Sequence, residues 1–106
     1  MQIVQDIEQE IISTKRLIEM IENKNDIAVW GRAKNRTDIW RLEYVKLTRK
    51  YTWNNIMNFV DDRNGYDIQS VLKQMDEIVV IKNHDDIKRA IEYFNQRIQN
   101  ERNEEA

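Results

Sequence analysis

The strongest constraint in this sequence lies near its start, where Val4, Ile7, Ile11, Ile18 and Ile21 recur on alternating steps of three and four residues. With Thr14 filling the one polar place, this is an a/d stripe, the spacing that keeps one face of a helix apolar. Ile3, Ile12, Leu17 and Met20 lie beside it and widen the face beyond a bare coiled-coil seam. The pattern predicts a helix over residues 2–23, ended by the turn-favouring run Asn23-Lys24-Asn25-Asp26. β-branched side chains at both a and d positions favour association into trimers or tetramers. Val4, Ile7, Ile11, Ile18 and Ile21 are therefore the expected homo-oligomer contact, unless the same stripe closes the chain's own bundle.

The middle of the chain supports two readings. Thr37 can cap a helix that aligns Trp40, Tyr44, Leu47 and Tyr51 on one stripe. Alternatively Trp40, Leu42 and Tyr44 alternate with Arg41 and Glu43 as in a strand, and Ile27-Ala28-Val29-Trp30 could pair with it as a hairpin. The helical pattern engages more residues and is preferred. Trp53, Ile56, Met57 and Val60 continue at helical spacing on a shifted face, with Thr52 as a cap or as part of one long helix. Asp61-Asp62-Arg63-Asn64-Gly65 reads as a stop, with Gly65 suited to the left-handed position after a helix.

Asp67 then caps a short helix carrying Ile68, Val71, Leu72 and Met75. Ile78-Val79-Val80-Ile81 is the most strand-like run, since four consecutive β-branched residues lose rotamer freedom in a helix. Asn83 and Asp86 signal another N-terminus, followed by Ile87, Ala90, Ile91, Phe94 and Ile98 on one helical face. The tail, residues 100–106, has no apolar residue except its final Ala and is expected to fray. The expectation is thus a mostly α domain over residues 1–106, with four or five helices. The alternative is α+β, using a hairpin within 27–48 or a strand at 78–81.

Composition narrows the chemistry. With no cysteine there is no disulfide, thiol nucleophile or Cys-ligated zinc, and two glycines cannot build a glycine-rich phosphate loop. His84, the single histidine, sits between Asn83 and Asp85 at a helix start, the place of a solvated turn residue. A metal site from His84, Asp85 and Asp86 is disfavoured because adjacent residues there diverge, and Asp61, Asp62 and Asp67 do not follow the alternating EF-hand pattern. Ser13 and Ser70 lie on expected helices with no Gly-flanked elbow. No catalytic residue, metal or cofactor is assigned. The first residues lack the basic and apolar regions of a secretion signal, and no apolar run reaches the ~18 residues of a membrane span, so a cytoplasmic protein is expected. Abundant Ile (15) and Asn (11) are what AT-rich coding yields, which points to a low-GC bacterium, a phage or a mobile element.

Charge is the informative feature. The chain carries 17 Lys+Arg against 19 Asp+Glu, yet residues 32–50 hold seven bases and two acids. Arg32, Lys34, Arg36, Arg41, Lys46, Arg49 and Lys50 lie among Trp30, Trp40, Tyr44 and Tyr51, a mixture that could neutralise phosphates and stack bases. On a helix the aromatics would face away from most of those cations, and the pI of about 5.5 lacks the basic excess of a dedicated nucleic-acid domain. The expected function is a non-enzymatic interaction module, a small adaptor or stoichiometric inhibitor that meets an acidic protein through these seven residues. A nucleic-acid binder using the same segment is the alternative.

Overall fold

The computed structural model describes residues 3–23, 27–56 and 61–105, with the backbone alone for 61–63 and 105. The expected mostly α bundle of four or five helices is not what forms. Six strands, β1 (Ile3–Asp6), β2 (Ala28–Arg32), β3 (Trp40–Val45), β4 (Lys50–Asn55), β5 (Asp61–Tyr66) and β6 (Glu77–Ile81), make one mixed sheet in the order β1-β6-β2-β3-β4-β5. Among the described residues three α-helices accompany it, α1 (Thr14–Asn23), α2 (Ile68–Gln74) and α3 (Ile87–Glu105). Among the described residues no helix is long and apolar enough to cross a membrane.

β6 organises the sheet. All five of its residues are buried, because it pairs parallel with β1 on one side and antiparallel with β2 on the other while helices cover both faces. A strand enclosed on both faces needs an unbroken apolar run, which Ile78-Val79-Val80-Ile81 supplies. Its alternation divides the core. Ile78 and Val80 join Val4, Val29, Leu42, Tyr51 and Trp53 under Leu17 and Met20 of α1 and Val71 and Leu72 of α2. Val79 and Ile81 join Trp30 and Ile39 under Ala90 and Phe94 of α3.

The helix expected over residues 2–23 is two structures. Ile3-Val4-Gln5-Asp6 runs beside β6, and the chain then turns with Gln9 at φ 65°. Asp6 closes that turn, its Oδ1 accepting the Glu8 and Glu10 N–H groups, each at 3.0 Å. The Ser13 hydroxyl accepts the Arg16 N–H at 3.2 Å, a cap that starts α1 at Thr14. The heptad stripe is therefore not one surface. Val4 is buried in the sheet, Ile7 is half-buried in the turn, Ile11 is 88% exposed, and Ile18 and Ile21 flank the buried Leu17 and Met20 on α1.

The helix expected from Trp40 to Tyr51 is the β3–β4 hairpin, registered as Leu42↔Trp53 and Tyr44↔Tyr51. Leu47, placed on the apolar stripe by the helical reading, is 94% exposed in the connecting turn. The β2–β3 and 78–81 strand alternatives are realised, but as parts of a larger sheet. Thr52 lies within β4, and the expected stop at Asp61–Gly65 lies within β5, in which Gly65 does not take a left-handed backbone. Met57 and Val60, like Lys24, Asn25 and Asp26, lie outside the described residues. The segment expected to fray is helical as far as Glu105.

Candidate functional site

Strand alternation sorts the basic segment. On β3 and β4 the aromatic side chains Trp40, Tyr44, Tyr51 and Trp53 all face α1 and α2. Arg41, Glu43, Val45, Lys50, Thr52 and Asn54 therefore share the opposite face. That face is only partly covered. The second core cluster reaches Ile39 and Ile56 at one end of the hairpin and includes none of these six residues. Arg41, Glu43 and Val45 are exposed, and Lys50, Thr52 and Asn54 are half-buried.

The seven cations do not form one patch. Lys34 and Arg36 are exposed in the β2–β3 connection, while Lys46 and Arg49 are exposed in the turn at the other end of β3, on the order of 20 Å away at ~3.3 Å per residue. Arg49 holds the turn with φ 57°, and its N–H donates to the Val45 carbonyl at 2.9 Å. Lys50 pairs with Asp67. Among the described residues the Arg41, Lys46 and Arg49 side chains have no hydrogen-bond or ion-pair partner.

Arg32 has a different role from the one expected of it. It is wholly buried, the largest such side chain in the described structure, and has no surface to offer a partner. Its Nη2 donates to Glu77 Oε1 at 2.5 Å and to Glu101 Oε1 at 3.0 Å. Its Nη1 donates to Glu101 Oε2 at 2.9 Å and to the Arg36 carbonyl at 2.8 Å. Glu77 also accepts from Tyr93 Oη at 3.0 Å and from Arg97 Nε at 3.2 Å. Burial alone would lower the Arg32 pKa, but its bonds to Glu101 and Glu77 outweigh that and raise it. The bond from Arg32 holds the Glu101 carboxyl below the ordinary carboxylate range. The cluster ties α3 to β2 and β6 as an anchor of paired charges with satisfied carboxylate oxygens, although the buried Arg32 Nε has no partner among the described residues.

Nothing in the sequence signalled this cluster, because Arg32 and Glu77 are 45 residues apart and neither carries a local motif. The two other chemically suggestive places are modest. His84 is exposed in a single 3-10 turn, His84–Asp86, that leads into α3. Among the described residues no group of three or more His, Asp or Glu is placed to hold a metal ion.

A cavity of about 410 Å³ opens on the α3 side where β2 and β3 part. Their ladder ends at Val29↔Leu42, so Ala28 pairs only with Ile81 of β6. Ile27, Ala28, Trp30, Ile81 and Ile87 line it, with Arg41, Asn83 and His84 as its polar groups. A smaller cavity of about 220 Å³ shares Ile27 and Arg41 but includes Glu43. Another, about 150 Å³, lies beside the buried cluster among Asp76, Glu77 and Glu101. No family model, curated protein sequence or solved structure matches this chain.

Proposed function

We propose that the chain is a non-enzymatic interaction module, a small adaptor or stoichiometric inhibitor, that meets an acidic protein surface through the β3–β4 hairpin. The observation that carries this reading is the separation of faces: Arg41 and Lys50 stand on the open side, while the hairpin's aromatics are turned into the core. At the tip, the exposed Leu47 stands between Lys46 and Arg49, an apolar contact flanked by two cations without a partner among the described residues. Such a surface offers charge attraction plus one apolar anchor, the ingredients of protein recognition.

Single-stranded nucleic acid is less well served, because stacking platforms need exposed rings beside the cations: no ring of β3 or β4 shares their face, and Trp30, opposite Arg41 on β2, is buried. Duplex binding would rest on phosphate contacts alone, with Glu43 in their midst. The contact set thus becomes Arg41, Lys46, Arg49 and Lys50, with Arg32 withdrawn and Lys34 and Arg36 at the far end.

The test is affinity capture from the native host with nuclease-treated controls, using the wild-type chain and an Arg41→Glu/Lys46→Glu/Arg49→Glu variant as baits. A protein retained by the wild type after nuclease treatment, lost from the variant and released by raised salt supports the reading. Retention that disappears with nuclease points to nucleic acid, and retention unchanged in the variant removes the hairpin from the interface.

A further inference from the structure

The cavity at the start of α3 has a construction that the partner reading does not use. Its floor is apolar because Ala28, Trp30 and Ile81 face α3 from β2 and β6, and Ile87 closes it from the first turn of that helix. It exists for a local reason. Ala28 is the smallest residue on this face of β2, and the helix reaches full packing only further along, where Ala90 and Phe94 are completely buried. At about 410 Å³ it falls within the ~300–1,000 Å³ of ordinary ligand pockets.

Its polar side chains share the capacity to donate, and Arg41 can do nothing else. Arg41, Asn83 and His84 can each donate a hydrogen bond, and none of their side chains has a partner among the described residues. Trp30 adds a buried indole N–H that has no acceptor among the described residues. No carboxylate lines the cavity among those residues, whereas both smaller cavities described above include one. Asp86, close in sequence, is engaged by Arg89 at 3.2 Å. An apolar floor ringed by donors, with a permanent cation and no acid, selects an anion with an apolar body.

We propose that this cavity binds a small organic carboxylate with an aromatic or branched aliphatic body, its carboxylate on Arg41 and its body over Ala28, Trp30, Ile81 and Ile87. Arg41 belongs both to this cavity and to the open hairpin face, but the binding is a property of the protein alone and is measured without any partner.

The experiment is a titration of the isotope-labelled protein with benzoate and 4-methylpentanoate, using benzamide and acetate as the neutral and body-less controls. The expected result is saturable shifts at Ala28, the Trp30 indole, Arg41 and His84, with benzoate binding more tightly than either control. Arg41→Gln, at an exposed position, should weaken benzoate roughly tenfold, the size of one charge-assisted hydrogen bond, and leave benzamide unchanged. Ala28→Leu, which fills the floor, should abolish both. No saturable shift at millimolar benzoate, equal affinity for benzoate and benzamide, or benzoate binding indifferent to Arg41→Gln would each overturn the proposal.

Discussion

Arg32 and Glu77 are register partners on β2 and β6, and their side chains meet at 2.5 Å with the guanidinium wholly removed from water. A charge in that position has no solvent to fall back on, so its counter-ions determine whether the sheet centre is stable. Arg32→Met should destabilise the protein by about 3–5 kcal/mol, because Glu77 is left buried without its closest cation. Adding Glu77→Leu should cost less than the sum of the two single changes, with a coupling of at least about 1 kcal/mol. Urea denaturation of the four proteins in the cycle measures it, and additive costs would show that the pair is not coupled.

The same cluster sets the pH response. Burial first, then the charge and hydrogen bond of Glu77, push the Tyr93 phenol up to about 12 from its ordinary 10.0. Burial, with Glu22 nearby, raises Tyr51 as well. The native state keeps these protons where the unfolded chain releases them, so their contribution is whole below pH 10 and is lost as the pH climbs through the folded values. Tyr93→Phe should flatten this alkaline fall. On the acid side Glu101 lies below its ordinary 4.5, so its contribution is present above that pH and disappears as the pH drops. Glu101→Gln should flatten the acid limb. Stability measured by urea from pH 3 to 11.5 reads both, at roughly even intervals across the tyrosine and carboxylate ranges.

Ile11 and Leu17 separate the helical reading of the N-terminus from the observed one. Ile11, an a/d position of the stripe, is 88% exposed, while Leu17, beside the stripe, is fully buried. Ile11→Ser should change stability by no more than about 0.5 kcal/mol. Leu17→Ala should cost about 2–5 kcal/mol through the cavity it leaves. Thermal or urea unfolding of the two variants gives the comparison.

These residues also show why part of the fold was legible and part was not. The run 78–81 points to a strand through its β-branched residue types, and the apolar faces of α2 and α3 point to helices through their period, although neither Asp67 nor Asn83 makes a side-chain cap bond. Trp40 and Tyr44 fit two periods, since positions four apart share a face in a helix and in a strand. Leu47 and Tyr51 then extended the helical count by coincidence, across what is a turn. At the N-terminus Val4, Ile7 and Ile11 match a heptad yet occupy a strand, a turn and an exposed bridge, because pairing with β6 outweighs local spacing. The basic segment was visible as composition, but which of its residues reach the surface depended on strand phase and on Glu77 and Glu101, far away in sequence. The cavity was invisible for the same reason: Ile27, Arg41, Ile81 and Ile87 meet only once the sheet is ordered.

Lysine cross-linking of the captured complex shows whether the β3–β4 hairpin is the contact surface. Lys46 and Lys50 mark the hairpin, Lys15 lies on α1, Lys73 on α2 and Lys88 on α3. Cross-links to acidic segments of the partner concentrated at Lys46 and Lys50 are the predicted result. Cross-links confined to Lys15, Lys73 or Lys88, with the hairpin lysines unmodified by the partner, would contradict it.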